Sequence, residues 1–262
     1  MVIEDIDKGK LFDWGRTSAD YAKYRDIYPR EFYDCILELG LCRDGQRVLD
    51  LGTGTGVLPR NMYSFGAKWT GTDLSENQIR QAKLLAKEAG MDIDFFVAGA
   101  EEVDFPDSTF DVLTACQCIW YFDHSVTAPR FAKMLKPGGR FLILYMGWLP
   151  YEDAVAGKSE EIILKHNPDW TSGGDTVHPV WVPEQYSDHF VLKTRREFRV
   201  DIPFTREGWH GRMRACRGVG ASMSGEALAA WDKEHMEMLE KSAPESFPVK
   251  HYISLAELAV NK

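Results

Sequence analysis

Two acids, Asp50 and Asp73, each end a short apolar segment, and three glycines at alternate positions, Gly52, Gly54 and Gly56, follow the first of them. Glycine in such a turn lets the backbone approach a ligand where a Cβ would keep it away, and it adopts the positive φ that some turns need. An acid at the first strand end repels a pyrophosphate and attracts a cationic amine. An acid at the second can accept hydrogen bonds from both hydroxyls of a ribose. The spacing matches neither common phosphate loop. In the dinucleotide fingerprint G-x-G-x-x-G the third glycine would fall at Val57, and the G-K-[ST] ending of a Walker loop finds no lysine here.

Positioning these residues requires strands and helices in alternation. Arg47 to Leu51 is a short buried strand. Val57 opens a helical run with Leu58, Met62 and Phe65 on one face, Pro59 in its first turn and Gly66 at its close. Lys68 to Asp73 is the second strand. Ser75-Glu-Asn-Gln78 is a capping box opening a helix with Ile79, Ala82, Leu85, Ala86 and Ala89 on its inner face and Gly90 at its end. Asp94–Ala98 and Asp111–Cys116 are the third and fourth strands. Thr127 caps the next helix, with Pro129 in its first turn, and Lys136-Pro-Gly-Gly139 turns into a fifth strand, Arg140–Tyr145. Beyond it the periodicity predicts a helix near Ser159–His166, a strand Phe190–Arg199, helices Thr205–Val219 and Ser224–Glu240, and an alternating apolar strand Val249–Val260.

The run Asp50-x-Gly-x-Gly-x-Gly56 resembles the first motif of the class I S-adenosylmethionine (SAM) dependent methyltransferases. Three further segments stand in that family's order: Asp73-Leu74-Ser75, Ala100 to Asp111, and Leu135-Lys-Pro-Gly-Gly139. The resemblance covers residues 20–145 well and the remainder in outline. It implies an α/β fold, a Rossmann-like doubly wound seven-stranded sheet, mostly parallel with an antiparallel last strand, plus a helical cap insertion. It implies SAM as cofactor, held by Asp50, Gly52, Thr53, Gly54, Gly56, Asp73, Leu74, Ala100, Glu101 and Gln117. Tyr24 and Arg25 lie in a segment, Tyr21 to Pro29, similar to the lid helix of small-molecule members. The chain departs from the family twice. Gly99 stands where an Asp often accepts the adenine amino hydrogen, which leaves that contact to backbone at Ala100 and Glu101 or to the Glu101 carboxylate. Trp120 stands where a His is frequent, and a Trp cannot act as a base.

In domain terms the sequence divides into N-terminal lid helices at 1–45, a SAM-binding core at 46–146, a cap and substrate region at 147–245 interleaved with a late core strand, and a final core strand at 246–262. Aromatics such as Trp148, Trp170 and Trp181 suggest a cap with an apolar lining. Trp120, Trp148, His210 and Arg214 are its candidate substrate contacts, and Tyr145 and His210 are candidate catalytic groups. Methyl transfer is an in-line displacement for which proximity supplies much of the acceleration. Transfer to oxygen, nitrogen or carbon stays open: a carboxylate, thiolate or amine acceptor needs no strong base, whereas a phenol or an activated carbon does. With no compelling base near the fourth strand end, a carboxylate acceptor is mildly favoured.

The chain of 262 residues is long enough to bury a large core. A net charge of −9 argues against a nucleic-acid partner. Five cysteines, an odd count after a polar start, indicate free thiols in a reducing cytoplasm. No apolar run approaches a membrane span, and His178, His189 and His210 lack metal-ligand spacing. The expected molecule is a monomer or homodimer acting on a small molecule without a metal. Two rival readings are an NAD(P)-dependent oxidoreductase and a non-catalytic SAM-binding module. The glycine spacing opposes the first, and binding residues alone leave the second open.

Overall fold

β1 (Arg47–Leu51) is buried at every position after its first, as a strand covered on both faces must be. The computed structural model describes residues 2–262. α3 (Val57–Met62) follows β1 with Val57, Leu58, Pro59 and Met62 buried, and a left-handed Gly66 ends the turn after it. β2 (Lys68–Asp73) pairs in parallel with β1, and β3 (Asp94–Val97) pairs in parallel with β2. α4 (Glu76–Glu88) lies between them, capped by the Ser75 hydroxyl, which accepts from the Gln78 N–H. Its Ile79, Ala82 and Ala86 pack with Phe95 of β3.

β4 (Phe110–Cys116) joins the other side of β1 in parallel. α5 (His124–Met134) leads to β5 (Leu135–Trp148), parallel to β4. With β6 (Phe190–Thr205) and β7 (Ser246–Val260) the sheet has seven strands in the order β3-β2-β1-β4-β5-β7-β6, with β7 antiparallel. The chain reverses its direction of travel across the sheet between β1 and β4. Open α/β sheets bind ligands outside the carboxyl ends of the strands at such a switch point.

The chain forms two compact units, and their boundaries differ from those drawn on the sequence. One holds the N-terminal residues through Ile27 with Gly147–Val177 and Arg199–Tyr252; the other holds Tyr28–Met146, His178–Phe198 and Ile253–Lys262. The first carries α1 (Ser18–Tyr24), α6 (Ala154–His166), α7 (Arg206–Arg214) and α8 (Gly225–Ser242), around the fully buried Trp209 and Trp231. The second carries α2 (Arg30–Leu37), β1 to β4 and α3 to α5. In its core Phe131, Phe141, Tyr186 and Phe190 pack ring against ring.

Several expectations need correction. α5 starts at His124, because the Asp123 carboxylate accepts from the Ser125 N–H and caps it there. Thr127 is therefore inside the helix, its hydroxyl donating to the Asp123 carbonyl, and Pro129 is an interior proline. The Lys136–Gly139 turn is a bulge within β5: Phe110 faces Leu135, yet Val112 already faces Arg140. α6 begins at Ala154, where Asp153 accepts from two backbone N–H groups. α7 ends at Arg214, and turns follow through Ser222. β7 alternates only at first; from His251 to Leu258 every residue is buried, because both of its faces are covered.

Candidate functional site

Asp50 is buried inside β1 and does not project from the strand end. Its two carboxylate oxygens accept from the Thr53 and Thr114 hydroxyls, each at 2.6 Å. Burial, the dominant cause, raises its pKa to about 6 against the pull of those two hydroxyls. Asp50 thus ties the glycine turn to β4. Asp73 does the same from β2. One oxygen accepts from the Gly54 N–H at 2.9 Å, the other from the Ser75 N–H at 2.9 Å, and burial raises its pKa too.

Gly52, Gly54 and Gly56 all have positive φ, so each occupies backbone space that other residues enter at a cost. Space forbids a side chain as well. A Cβ on Gly52 would stand 2.8 Å from the Cys118 sulfur, and one on Gly56 would stand 2.7 Å from the Phe95 ring. The thiol of Cys118 donates to the Leu51 carbonyl and backs the turn.

The turn spends its amides internally. The Thr53 N–H goes to the Thr72 carbonyl, the Gly54 N–H to Asp73 and the Gly56 N–H to the Thr53 carbonyl. A phosphate loop aims such groups at its ligand. Here the Asp73 carboxylate and a side-chain-free backbone stand there instead, which suits a ligand with a ribose, while the Asp50 carboxylate faces Thr53 and Thr114. Leu74, next to Asp73, is an apolar side chain left 56% exposed. Those observations fit SAM.

The third part of the site lies after β3. Ala100 is buried. The Glu101 carboxylate accepts from the Asp123 N–H at 2.7 Å, and the Glu102 carboxylate accepts from the Gly99 N–H at 3.2 Å. Where the family often has an Asp at position 99, this chain therefore has two glutamates anchored close by.

At the end of β4, Gln117 adopts φ 65°. Strained non-glycine backbone of this kind concentrates at functional sites. Its side-chain amide donates to the Met146 carbonyl at 2.5 Å and its N–H to the Leu144 carbonyl. Trp120 packs edge-on against Tyr145. The residue sequence reasoning passed over here is Tyr28, whose hydroxyl accepts from the Cys116 thiol at 3.4 Å while its ring stacks on Phe32. Only its place in an aromatic-rich stretch hinted at it.

The remaining predicted residues belong to the first unit, and most have internal partners. Tyr24 donates to Glu207, and its ring fills the space beside Gly211. Arg25 lies over the Tyr21 ring. The Trp148 indole N–H donates to Glu160, and Arg212 lies over the Trp148 ring. Arg214 bridges Asp20 and Asp232. His210 contacts Asp232 and shares a hydrogen bond with the buried His235; burial lowers the pKa of both histidines. His210 and Arg214 thus join α1, α7 and α8.

Among the described residues, no group of three His, Cys, Asp or Glu could hold a metal ion, and no helix is long and apolar enough to cross a membrane.

Comparison with known proteins agrees with this geometry. Residues 48–139 match the family described as Methyltransferase domain. The chain is 33% identical over 202 residues to the ubiquinone biosynthesis O-methyltransferase of Bradyrhizobium diazoefficiens, covering 75% of this chain and 78% of that one. It is 34% identical over 202 residues to the protein of that name from another Bradyrhizobium strain, with the same coverage. Among solved structures, the YcgJ protein of Bacillus subtilis shares the fold at a TM-score of 0.55 and 18% identity, covering 89% of this chain and all of that one.

Proposed function

This chain belongs to the class I SAM-dependent methyltransferases, and we propose that it methylates a hydroxyl oxygen of a small apolar aromatic acceptor. SAM is its cofactor, and it supplies a methyl group on a positively charged sulfur. In this reading Asp50, through Thr53 and Thr114, holds the glycine turn in shape. Gly52, Gly54 and Gly56 leave room for the ligand, and Asp73 takes the ribose hydroxyls. Leu74, Ala100 and Glu101 flank the adenine, and Gln117 lines the end near the reacting methyl. Tyr24 and Arg25 serve in the N-terminal lid. Trp148 contacts the acceptor, while His210 and Arg214 join α1, α7 and α8.

The observation that carries the oxygen acceptor is the match, over three quarters of the chain, to relatives named for oxygen methylation. The carboxylate acceptor suggested by the sequence rested on a missing base and yields to this reading. Product analysis by mass spectrometry tests it, with labelled SAM offered against matched phenols, carboxylic acids and amines. Label recovered as an aryl methyl ether is the expected result. Label found only in esters or N-methyl products would overturn the hydroxyl assignment.

A further inference from the structure

His210 and His235 meet nitrogen to nitrogen. Their Nδ1 atoms lie 2.9 Å apart, and a hydrogen bond between two ring nitrogens needs a proton on one and a lone pair on the other. Each ring has a second partner. Nε2 of His210 lies 3.3 Å from the Asp232 carboxylate, and Nε2 of His235 lies 2.9 Å from the Ser159 hydroxyl. The result is a row of side chains, Asp232–His210–His235–Ser159, drawn from α8, α7 and α6. Its outer end is partly exposed, whereas His235 and Ser159 are fully buried.

The row can hold its protons in two ways that leave none of these atoms unpaired, and the choice is made at Ser159. Its single hydroxyl proton has two acceptors in reach, Nε2 of His235 at 2.9 Å and the Val155 carbonyl at 2.8 Å. The Trp209 indole N–H donates to the same oxygen at 3.0 Å. If the hydroxyl donates to His235, that ring carries its proton on Nδ1 and donates it to His210. His210 then keeps one proton, on Nε2, for Asp232, and both rings are neutral. If the hydroxyl donates to Val155, Nε2 of His235 donates to Ser159, whose oxygen accepts two bonds, and Nδ1 of His235 becomes the acceptor. His210 then carries a proton on Nδ1, and the Asp232 carboxylate, which only accepts, requires another on Nε2. The second arrangement holds one proton more than the first.

We infer that this row is a one-proton switch: uptake of a proton at His210 reverses its hydrogen bonds with His235 and those of His235 with Ser159, and turns the Ser159 hydroxyl to the Val155 carbonyl of α6. The charge belongs on His210. Asp232 accepts from it, and the Trp231 ring stacks on it with centroids 5.1 Å apart, a position that favours a cation. Arg214 of α7 opposes the charge, and Asp20 of α1, which pairs with Arg214, favours it. Among the described residues no carboxylate pairs with His235, and a buried charge without a counter-ion is costly. Burial holds the His210 pKa below its ordinary 6.5, with Asp232 working against burial, so the switch turns over on the acid side of that value. In the charged state Ser159 back-bonds to a carbonyl that the helix already uses, which bends helices slightly. α6 is therefore the element that answers the proton.

The test is a pH titration of the full-length protein with histidine rings carrying the heavy nitrogen isotope, followed by proton–nitrogen correlation spectra that report the proton on each ring nitrogen. The two rings are assigned through their contacts with Trp231. At about pH 8, above the ordinary histidine range, His210 should be protonated on Nε2 alone and His235 on Nδ1 alone. On acidification His210 should gain a proton on Nδ1. With the same midpoint His235, still neutral, should exchange its Nδ1 proton for one on Nε2. Asp232→Asn should lower both midpoints together by about one pH unit, the order of one lost opposite charge. The switch is overturned if His235 keeps one tautomer while His210 titrates, if His235 becomes charged first, if neither ring responds, or if the variant moves one midpoint without the other. Should Asp232→Asn fail to fold, the parent's titration decides alone.

Discussion

A single methylene decides what residue 52 can be. Its φ of 62° and the Cys118 sulfur 2.8 Å from any Cβ both exclude a side chain. Gly52→Ala should lower stability by roughly 1–3 kcal/mol, as overpacking does, and should abolish binding of S-adenosylhomocysteine. Adding Cys118→Ala should recover little of this, because the Cβ of residue 118 stays 2.9 Å from the new methyl and the positive φ is unchanged, which urea unfolding of the single and double variants checks. Gly54→Val should abolish binding by blocking backbone approach. Asp73→Ala removes the acceptor of two backbone N–H groups, and calorimetry should find the affinity for S-adenosylhomocysteine at least about ten-fold weaker, the order of one charge-assisted pair of bonds. Both acids were legible beside the glycine turn because glycine spacing and strand-end placement are local properties. Their actual partners were not: Thr114 comes from a strand 64 residues away from Asp50 in sequence.

Helices and strands were legible where their signals are short-range. Ser75 caps α4 through its hydroxyl, but its own N–H goes to Asp73 and the capping box is half made; Ser75→Ala should cost about 1 kcal/mol, read as a lowered urea midpoint. Where two cap signals competed, the choice needed the third dimension. Asp123 is fixed by its own N–H donating to Glu101, and this places the start of α5 ahead of Thr127. Pro129 then sits in the helix interior and leaves the Ser125 carbonyl without its helical N–H donor. Pro129→Ala should stabilise the protein by on the order of 1 kcal/mol, seen as a raised thermal midpoint with unchanged activity. The bulge in β5 was read as a turn, because Lys-Pro-Gly-Gly has the same local chemistry in either setting.

Across the whole molecule the two units should answer acid in opposite senses. In the first, burial pushes the pKa values of His235 and His251 from 6.5 down to about 3. Their neutral forms belong to the folded state, so their contribution is full above pH 6.5 and is lost as pH falls toward 3. In the second, Asp50 is raised from 3.8 to about 6. Its contribution is full below pH 3.8 and is lost as pH rises through about 6. Hydrogen exchange at pH 7 and pH 5, corrected for intrinsic rates, should therefore show the first unit losing protection on acidification, while Asp50 offsets such loss in the second. Asp50→Asn should flatten the second unit's response and leave the first unchanged. The N-terminus also belongs to the first unit's stability. Asp7 and Arg217 form a buried pair, and breaking such a pair costs about 3–5 kcal/mol. Asp7→Asn should thus destabilise the first unit by an appreciable part of that amount, measurable by urea unfolding.

By itself the sequence determined the βαβ alternation, the glycine turn, the two acids and hence the family and its cofactor. Each of these motifs is short, so its backbone geometry follows directly from residue type, and the family rests on their order from Asp50 to Gly139. Only the tertiary structure decided which distant side chains complete the site. It set Thr114 and Cys118 behind the turn, brought the Tyr28 hydroxyl to β4, and committed His210 and Arg214 to their network. These pairings depend on strand order and on loops pinned by remote hydrogen bonds, and no local pattern of residues encodes them.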